Sequence, residues 1–334
     1  MDERGLGRGP ISDVQALTGG TQNVMLSLSR SGRRYILRTP PSAKRPNSDD
    51  TVRREARVLE ALAATAVPHP RLIAAELDTA VMGSAFYLME PINGFVAPAG
   101  WPEDFPAEPA RVHRIGLAAA ETLAALAAVD HEAVGLADLR RPGSFLERQV
   151  SRWRWQLDSY SPGSEYVGLP ADHVASVAEW LEANRPLSEC TGIVHGDYHL
   201  GNIMLSARTG EVAAVVDWEL VTIGDPLLDL AHFLACWPGT EENTAFAEIM
   251  PVAPTNGLAT EEEIILHYTE KTGSNVEALP WYKVLAAFRL GAILEGTSVR
   301  ASRGEVPGHI GRQFHRAARG LFEQAYRQAA ECSI

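Results

Sequence analysis

The chain has 334 residues, which is enough for one large domain or two smaller ones around a substantial buried core. Its composition is that of an ordinary globular protein, without collagen-like, coiled-coil or disordered bias. The formal net charge of -12 argues against a nucleic-acid-binding protein, and it means that any phosphate site needs local cations or a metal ion.

The cysteines and the N-terminus indicate the cellular compartment. Cys190, Cys236 and Cys332 are far apart in the sequence and show no CxxC spacing, which favours free thiols in a reducing environment. The first ten residues, MDERGLGRGP, contain no apolar segment of a secretory signal, and charges interrupt the apolar stretches before they reach bilayer length. We therefore expect a cytoplasmic protein that does not act at a membrane.

The first 90 or so residues predict a small β-rich unit with one helix. The segments VMLSLS and RRYILRT alternate apolar and polar side chains around a turn at Ser31 and Gly32, as the strands of a hairpin do. TVRREARVLEALAAT follows with apolar residues at helical spacing and candidate caps before it. Two further strand-like segments, RLIAAEL and AFYLME, complete this unit.

After the connector PINGF, the pattern changes to long helical segments rich in alanine and leucine. We therefore predict an α+β fold with a β-rich N-terminal lobe, residues 1–91, and a mainly helical C-terminal lobe, residues 92–334. No internal repeat or low-complexity tract is present in the sequence.

The segment IVHGDYHLGNIML, in the middle of the chain, contains two histidines four residues apart, His195 and His199. This spacing suits two zinc ligands on one helix face. Gly196 and Gly201 interrupt the segment, however, and each costs about 1 kcal/mol in a helix interior. No glutamate adjoins His195 to act as a base. The pattern therefore favours a loop, and a zinc hydrolase is the weaker alternative.

The same segment carries three residues in the order that kinase-type phosphoryl transfer uses. Asp197 and Asn202 are five residues apart, the strand-like IMLS follows, and Asp217 ends the apolar segment VAAVVD. In this arrangement Asp197 accepts the proton of an acceptor hydroxyl, while Asn202 and Asp217 offer oxygen ligands to Mg²⁺. A hairpin formed by the two strands would fix the distance between these groups.

The chain resembles the aminoglycoside phosphotransferase superfamily, which has a bilobal, protein-kinase-like fold. The resemblance rests on VHGDYHLGNIM, VVDWELVTIGDPLLDLA and FRLGAILEGTSVRA, and it extends from about residue 12 to residue 325. Within the superfamily, these motifs are similar to the branch that also occurs fused to acyl-CoA dehydrogenases.

The resemblance implies a nucleotide site in the N-terminal lobe. The implied residues are those of a glycine-containing loop over the phosphates, an arginine in place of the kinase lysine with its glutamate partner, and two hinge positions: Gly19, Gly20, Asn23, Arg38, Glu55, Glu90 and Ile92. Arginine can bind phosphate or carboxylate in a bidentate way, so it suits this position. The sequence departs from the branch at Gln22 and Met25, where hydroxyl side chains are usual.

In the C-terminal lobe, the resemblance implies that His195 and Asp229 support the catalytic loop and do not transfer protons. It also implies that Arg289, Glu295 and Arg300 are candidates for the acceptor site, although surface charges are an equally good interpretation.

The sequence thus predicts a phosphotransferase that uses ATP and Mg²⁺ and acts on a hydroxyl group of a small molecule. Two acceptor classes stay open: a hydroxyacyl-CoA-like metabolite, which the branch suggests, and an aminoglycoside-like antibiotic, which the acidic net charge slightly favours. The alternative function is that of a nucleotide-binding pseudokinase with a regulatory or scaffold role. The sequence is compatible with either a monomer or a dimer.

Overall fold

The computed structural model describes residues 1–2, 4–17, 23–103, 105–163, 166–238, 244–252 and 255–332. The N-terminal part is dominated by one β-sheet, and the C-terminal part is mainly helical. This arrangement confirms the predicted α+β class.

A five-stranded antiparallel sheet with one helix against it forms the N-terminal part. Its elements are β1 (Ser12–Leu17), β2 (Val24–Arg30), β3 (Arg33–Thr39), α1 (Ser48–Leu62), β4 (Leu72–Glu76) and β5 (Phe86–Met89), and the strand order is β1-β2-β3-β5-β4. The predicted hairpin is present, and its turn places Ser31 at φ 50° and Gly32 at φ 75°. The apolar face of α1 is buried, as the periodicity predicts.

The strand β1 shows no alternation of buried and exposed side chains, because all six of its residues are exposed. It is held by backbone pairing with β2, and this pairing contains an irregularity between Ser12 and Gln15. A strand of this kind lacks the period-two pattern that identifies a half-buried strand in a sequence.

The C-terminal part contains the helices α2 (Pro109–Ala127), α3 (Gln149–Asp158), α4 (Ala171–Ala183), α5 (Leu227–Cys236), α6 (Thr244–Ala247), α7 (Glu261–Thr272), α8 (Leu279–Ser302) and α9 (Gly308–Glu331). The helices α8 and α9 have 24 residues each and pack against one another. At their contact, the rings of Phe288 and Phe322 meet edge to face at 5.4 Å. Among the described residues, no helix combines the length and the apolar character needed to cross a membrane.

Two short antiparallel ladders lie between the sheet and the helices. One pairs β6 (Gly192–Val194) with β9 (Thr222–Gly224), and the other pairs β7 (Ile203–Leu205) with β8 (Val212–Val215). The β7–β8 hairpin is the one predicted from the sequence. In chain order, β7 and β8 lie between β6 and β9. The loops 195–202 and 216–221 therefore both connect one ladder to the other, and they face each other. The Val216 N–H donates to the Asn202 carbonyl over 2.9 Å.

Backbone contacts also connect the two parts of the molecule near the predicted connector. The Phe95 N–H donates to the Leu205 carbonyl over 2.9 Å, and the Leu205 N–H donates back to Phe95 over 2.7 Å. In addition, the Val215 N–H donates to the Pro68 carbonyl over 2.8 Å. These bonds fix the hairpin that precedes Asp217 relative to the sheet.

We expect the α8–α9 contact to dominate the stability of the helical part. Because Phe288 is fully buried, Phe288→Ala should lower the free energy of unfolding by about 3–5 kcal/mol. Urea unfolding followed by circular dichroism measures this change. Leu266→Ala, at an exposed position on α7, is the control and should change the free energy by less than about 0.5 kcal/mol. Equal effects of the two substitutions would contradict this account of the core.

Candidate active site

The loop after β6 is held by hydrogen bonds to a side chain of α5. The buried carboxylate of Asp229 accepts the N–H groups of His195 over 2.6 Å and of Gly196 over 2.8 Å. Burial raises the pKa of Asp229 to about 6, although both amides and Arg289 favour the charged form. Gly196 has φ 85°, and a Cβ atom there would lie 2.6 Å from the Leu220 carbonyl oxygen, so this position requires glycine.

His195 lies under the loop and is completely buried. Its Nδ1 accepts the Asp197 N–H over 3.1 Å, so its Nε2 carries the proton and donates to the Val216 carbonyl over 3.0 Å. Burial lowers the pKa of His195 to about 4, so the ring is neutral at pH 7. Both nitrogens therefore hold backbone groups, and neither is available to transfer a proton.

The Asp197 carboxylate is surrounded by three nitrogen atoms. Asn202 Nδ2 donates to Oδ2 over 3.0 Å, His199 Nε2 lies 3.4 Å from Oδ2, and His232 Nε2 lies 3.3 Å from Oδ1. Burial raises the pKa of Asp197, but His199 and His232 outweigh burial and hold it well below its usual range. The group is thus a carboxylate at neutral pH. Neither the contact of His199 nor that of His232 with Asp197 was predicted from the sequence.

His232 belongs to a short chain of contacts that ends at Asp197. Arg289 Nη1 lies 3.3 Å from His232 Nδ1, and since arginine only donates, the remaining proton of the ring is on Nε2, toward Asp197. Arg289 also donates to the Gly196 carbonyl, and it is buried rather than at the surface. His232 lies one turn after Asp229 on α5, so both residues face the same loop. That spacing is the signal in the sequence that could have identified it.

On the other side of the site, Arg38 connects β3 to two carboxylates. Its Nε lies 2.7 Å from Glu55 Oε2, and its Nη2 donates to Glu55 Oε1 over 2.8 Å and to Asp217 Oδ1 over 2.6 Å. Tyr87 donates to Glu55 Oε2 over 3.0 Å. The predicted ion pair of Arg38 and Glu55 is present. Asp217 lies two residues after β8 at φ 65°, in the left-handed region.

The acidic side chains near Asp217 form a cluster that suits a divalent cation. One oxygen atom each of Glu55, Asp217 and Glu219 lies within 4.8 Å of the others. Burial first, and then repulsion from Asp217 and Glu55, raises the pKa of Glu219 to about 7. Asn202 adds a neutral ligand, because its Nδ2 bonds to Asp197 while its Oδ1 has no hydrogen-bond partner among the described residues. The residues present therefore fit Mg²⁺.

A cleft of about 470 Å³ lies between the sheet and the two facing loops. Its walls include Met25, Arg38, Leu59, Tyr87, Met89, Glu90, Ile92, Asn202, Asp217 and Trp218. The Glu90 N–H already donates to the Arg71 carbonyl over 3.0 Å, so this amide is not free for a nucleotide base. The Glu90 side chain is bound by Arg33 and Arg71 outside the cleft.

The remaining predicted nucleotide residues lie at the edge of this cleft or outside the described residues. Asn23 is half-buried immediately before β2. The glycine-containing loop, with Gly19 and Gly20, lies outside the described residues, as does Gln22.

The three candidate acceptor residues on α8 do not form one cluster. Arg289 contacts the catalytic loop, whereas Glu295 is buried with both carboxylate oxygens 3.0 Å from His315 Nδ1. Arg300 Nε lies 3.5 Å from Glu305 Oε2 at the end of the helix. Glu295 points away from the other two because of the helical repeat, whereas Arg289 and Arg300 share a direction but are separated by about three turns along α8.

Comparison with known proteins identifies the family. The sequence model of the phosphotransferase enzyme family, APH, matches residues 13–250. The chain belongs to this family. It is 28% identical over 320 residues to mouse acyl-CoA dehydrogenase family member 10, a match that includes 95% of this chain and 29% of the mouse protein. The chain thus spans under a third of that relative's length. The predicted superfamily and branch are confirmed.

Solved structures show the same fold. A putative aminoglycoside phosphotransferase from Ralstonia eutropha is 31% identical, with a TM-score of 0.79 over 97% of this chain and 94% of that one. The aminoglycoside phosphotransferase APH(4)-Ia, solved with AMP-PNP and hygromycin B, has a TM-score of 0.62 at 17% identity, over 96% of each chain. The predicted kinase-like fold is therefore confirmed.

His232 provides a test of how the loop is positioned in this phosphotransferase family member. His232→Leu removes a donor to Asp197, so we expect kcat to fall by about 10- to 100-fold while KM for ATP changes little. His232→Gln, which can place an N–H near the position of Nε2, should recover part of the loss. His309→Leu, on the exposed face of α9, is the control. If His232→Leu and His309→Leu have the same kcat, His232 does not position Asp197.

The acidic cluster predicts a pH-dependent affinity for Mg²⁺. Because a metal ion requires ionised carboxylates and Glu219 has a raised pKa, Mg²⁺ affinity should increase by about tenfold between pH 6 and pH 8. Calorimetric titration of Mg²⁺ in the presence of ADP measures this effect. Glu219→Gln has no carboxylate at this position to titrate, so its Mg²⁺ affinity should increase less between pH 6 and pH 8. An unchanged pH dependence in the variant would exclude Glu219 from the metal site.

Proposed function

We propose that this protein transfers the terminal phosphoryl group of ATP, in the presence of Mg²⁺, to a hydroxyl group of a small molecule. Membership of the phosphotransferase family supports phosphoryl transfer in general. The observation that carries the specific proposal is the convergence of Asp197, Asn202 and Asp217 on facing loops, with Arg38 beside them.

In the proposed reaction, Asp197 aligns the acceptor hydroxyl and accepts its proton. Its low pKa makes it a weak base, so most of the rate enhancement comes from positioning and from neutralising charge. Asn202 and His232 hold the two carboxylate oxygens in place, which fixes the direction from which the hydroxyl attacks.

Asn202 and Asp217 would hold Mg²⁺, with the Glu219 carboxylate close enough to join them. When bound, the ion neutralises phosphate charge and orients the phosphoryl oxygens. Arg38 keeps a positive charge next to Asp217 because Glu55 anchors its guanidinium from the other side.

The nucleotide would lie in the cleft of about 470 Å³ between the lobes, and the acceptor on the far side of Asp197. We accordingly assign residues 1–91 to nucleotide binding and residues 92–334 to the catalytic loop and the acceptor. The complex of APH(4)-Ia with AMP-PNP, an ATP analogue, supports nucleotide binding by a protein of this fold. Ile92, Met89 and Met25 offer apolar walls for the base.

The acceptor is either a hydroxyacyl-CoA-like metabolite or an aminoglycoside-like compound. Structural likeness to aminoglycoside phosphotransferases favours the second class, and likeness to acyl-CoA dehydrogenase family members favours the first. A panel of hydroxyacyl-CoAs, aminoglycosides and amino alcohols, assayed for ATP consumption, separates the two classes.

The proposal is tested by Asp197→Asn, which keeps the size of the side chain but removes the base. We expect kcat to fall by about 10²- to 10⁴-fold, while MgATP binding is preserved. ATP consumption and acceptor phosphorylation are measured together with nucleotide affinity. Asp158→Asn, at an exposed position at the end of α3, is the control for loss of one carboxylate. Full ATP-dependent turnover by Asp197→Asn would refute the proposed mechanism.

A further inference from the structure

Five arginine residues next to the catalytic loop have no carboxylate partner among the described residues. Arg54 lies on α1, Arg141 and Arg148 lie in the segment that leads into α3, Arg152 lies on α3, and Arg289 lies on α8. In a chain with a formal net charge of -12, such a group needs an explanation.

Three of these arginines are held in place by neutral groups. Arg148 Nη1 donates to the carbonyls of residues 142, 143 and 144 over 2.7, 2.8 and 2.7 Å. Arg54 donates to the Glu219 carbonyl, and Arg289 donates to the Gly196 carbonyl beside Asp197. These bonds fix the positions of three guanidinium groups, whereas Arg141 and Arg152 are exposed. Asp197 and Asp229 attract the charge of Arg289, but Arg54 and Arg148 form no salt bridge with a described residue.

Arg152 is the least constrained member of the cluster. Its guanidinium lies 4.8 Å from the centre of the Trp153 ring, and the Arg289 guanidinium lies 5.2 Å from the same centre. Arg152 has no hydrogen bond or ion pair with any described residue. Although part of the side chain is exposed, desolvation by its neighbours and then repulsion from Arg289, Arg141, Arg54 and Arg148 lower the pKa of Arg152 to about 10, so it stays charged at pH 7.

Three of the arginines, Arg141, Arg148 and Arg152, line a cleft of about 280 Å³. Its other walls are Phe145, Gln149, Ser151 and Thr222, with no acidic residue among them. Arg152 and Arg289 both lie against the Trp153 ring, and Arg289 donates to the Gly196 carbonyl. The cleft is therefore linked through Arg289 to the loop that carries Asp197, and it shares no wall residue with the nucleotide cleft.

Glu189 interacts electrostatically with Arg148 but forms no salt bridge with it. Its carboxylate already accepts the Ser144 hydroxyl over 2.9 Å and the N–H groups of Phe145 and Leu146 over 3.0 and 2.9 Å. These bonds fix the segment that carries Arg148. Glu189 thus positions a wall of the cleft, and the three arginines in that wall form no salt bridge with a described carboxylate.

We propose that this arginine cluster binds a phosphate or carboxylate group of the acceptor, so that the acceptor is an anionic hydroxyl compound. The inference rests on the proposed function, since it concerns the second substrate of the same site. Guanidinium groups bind both kinds of oxyanion through paired hydrogen bonds. An anion here lies beside Asp197, and it also relieves the repulsion among the five arginines. A polycationic acceptor would meet that repulsion.

Anion binding is measured first, independently of catalysis. With the nucleotide cleft filled by Mg²⁺ and AMP-PNP, pyrophosphate and succinate are titrated into the whole protein, to separate phosphate from carboxylate recognition. We expect at least one of them to bind, and Arg152→Glu to weaken that binding by about tenfold or more. Arg152→Lys should keep part of the affinity. Arg154→Glu, with the same charge change on the same helix but outside the cleft, should bind like the wild type.

Turnover provides the second measurement. A hydroxyacyl-CoA, its pantetheine thioester without the nucleotide phosphates and a cationic aminoglycoside are compared as acceptors. We expect the anionic acceptor to have the highest kcat/KM, and Arg152→Glu to raise its KM by about tenfold while KM for ATP stays unchanged. Nucleotide affinity shows whether the variant is folded.

The outcomes separate the two proposals. If neither anion binds, if Arg152→Glu and Arg154→Glu behave alike, or if the aminoglycoside is the best acceptor, the anion site is refuted. If an anion binds through Arg152 but no acceptor is phosphorylated, the anion site is supported and the proposed phosphotransfer is refuted.

Discussion

The arrangement of the site depends on one buried cation. Arg38 on β3 contacts Glu55 on α1 and Asp217 beyond β8, so a single guanidinium joins the sheet, its helix and the loop after β8. Removing it would leave Glu55 buried without a counter-charge, which typically costs about 3–5 kcal/mol. A lysine ammonium also has several donors, but it lacks the planar fork by which Arg38 binds Glu55 through two nitrogens while it reaches Asp217. The position of the sheet and the charge around Asp217 are thus coupled through one side chain.

The sequence predicted the parts of the fold that depend on local pattern. The β2–β3 hairpin, α1 and the β7–β8 hairpin were predicted because their apolar residues repeat with the period of the element. The strand β1 was not predicted from periodicity, because it is exposed on both faces and is held by backbone pairing alone. Asp197, Asn202 and Asp217 could be predicted as a set because the spacing of a loop and a hairpin determines where they meet. Their roles as catalytic and metal-binding residues stay a proposal.

Contacts between distant segments could not be predicted from a single sequence. His232 meets Asp197 only because α5 packs under the loop, and Arg289 reaches the same place from a helix more than 50 residues further along. The prediction grouped Arg289, Glu295 and Arg300 because they share α8. In the structure, each of them contacts a different partner. A helix can be predicted from its periodicity, but the neighbour of each face is set by tertiary packing.

Net charge was the least informative quantity for the acceptor, and the reason is the short range of electrostatic interactions in water. At physiological ionic strength, charges more than about 8 Å apart at the surface are largely screened. The acidic excess of the whole chain therefore hardly acts on a cleft whose own walls carry three arginines and no carboxylate. Around Asp217 the situation is reversed, because three carboxylates lie within 4.8 Å of one another beside one arginine. The acidic cluster around Asp217 and the arginine-lined cleft share no residue. If the first holds a metal-bound nucleotide and the second an anionic acceptor, as we propose, the two substrates do not compete for the same charges.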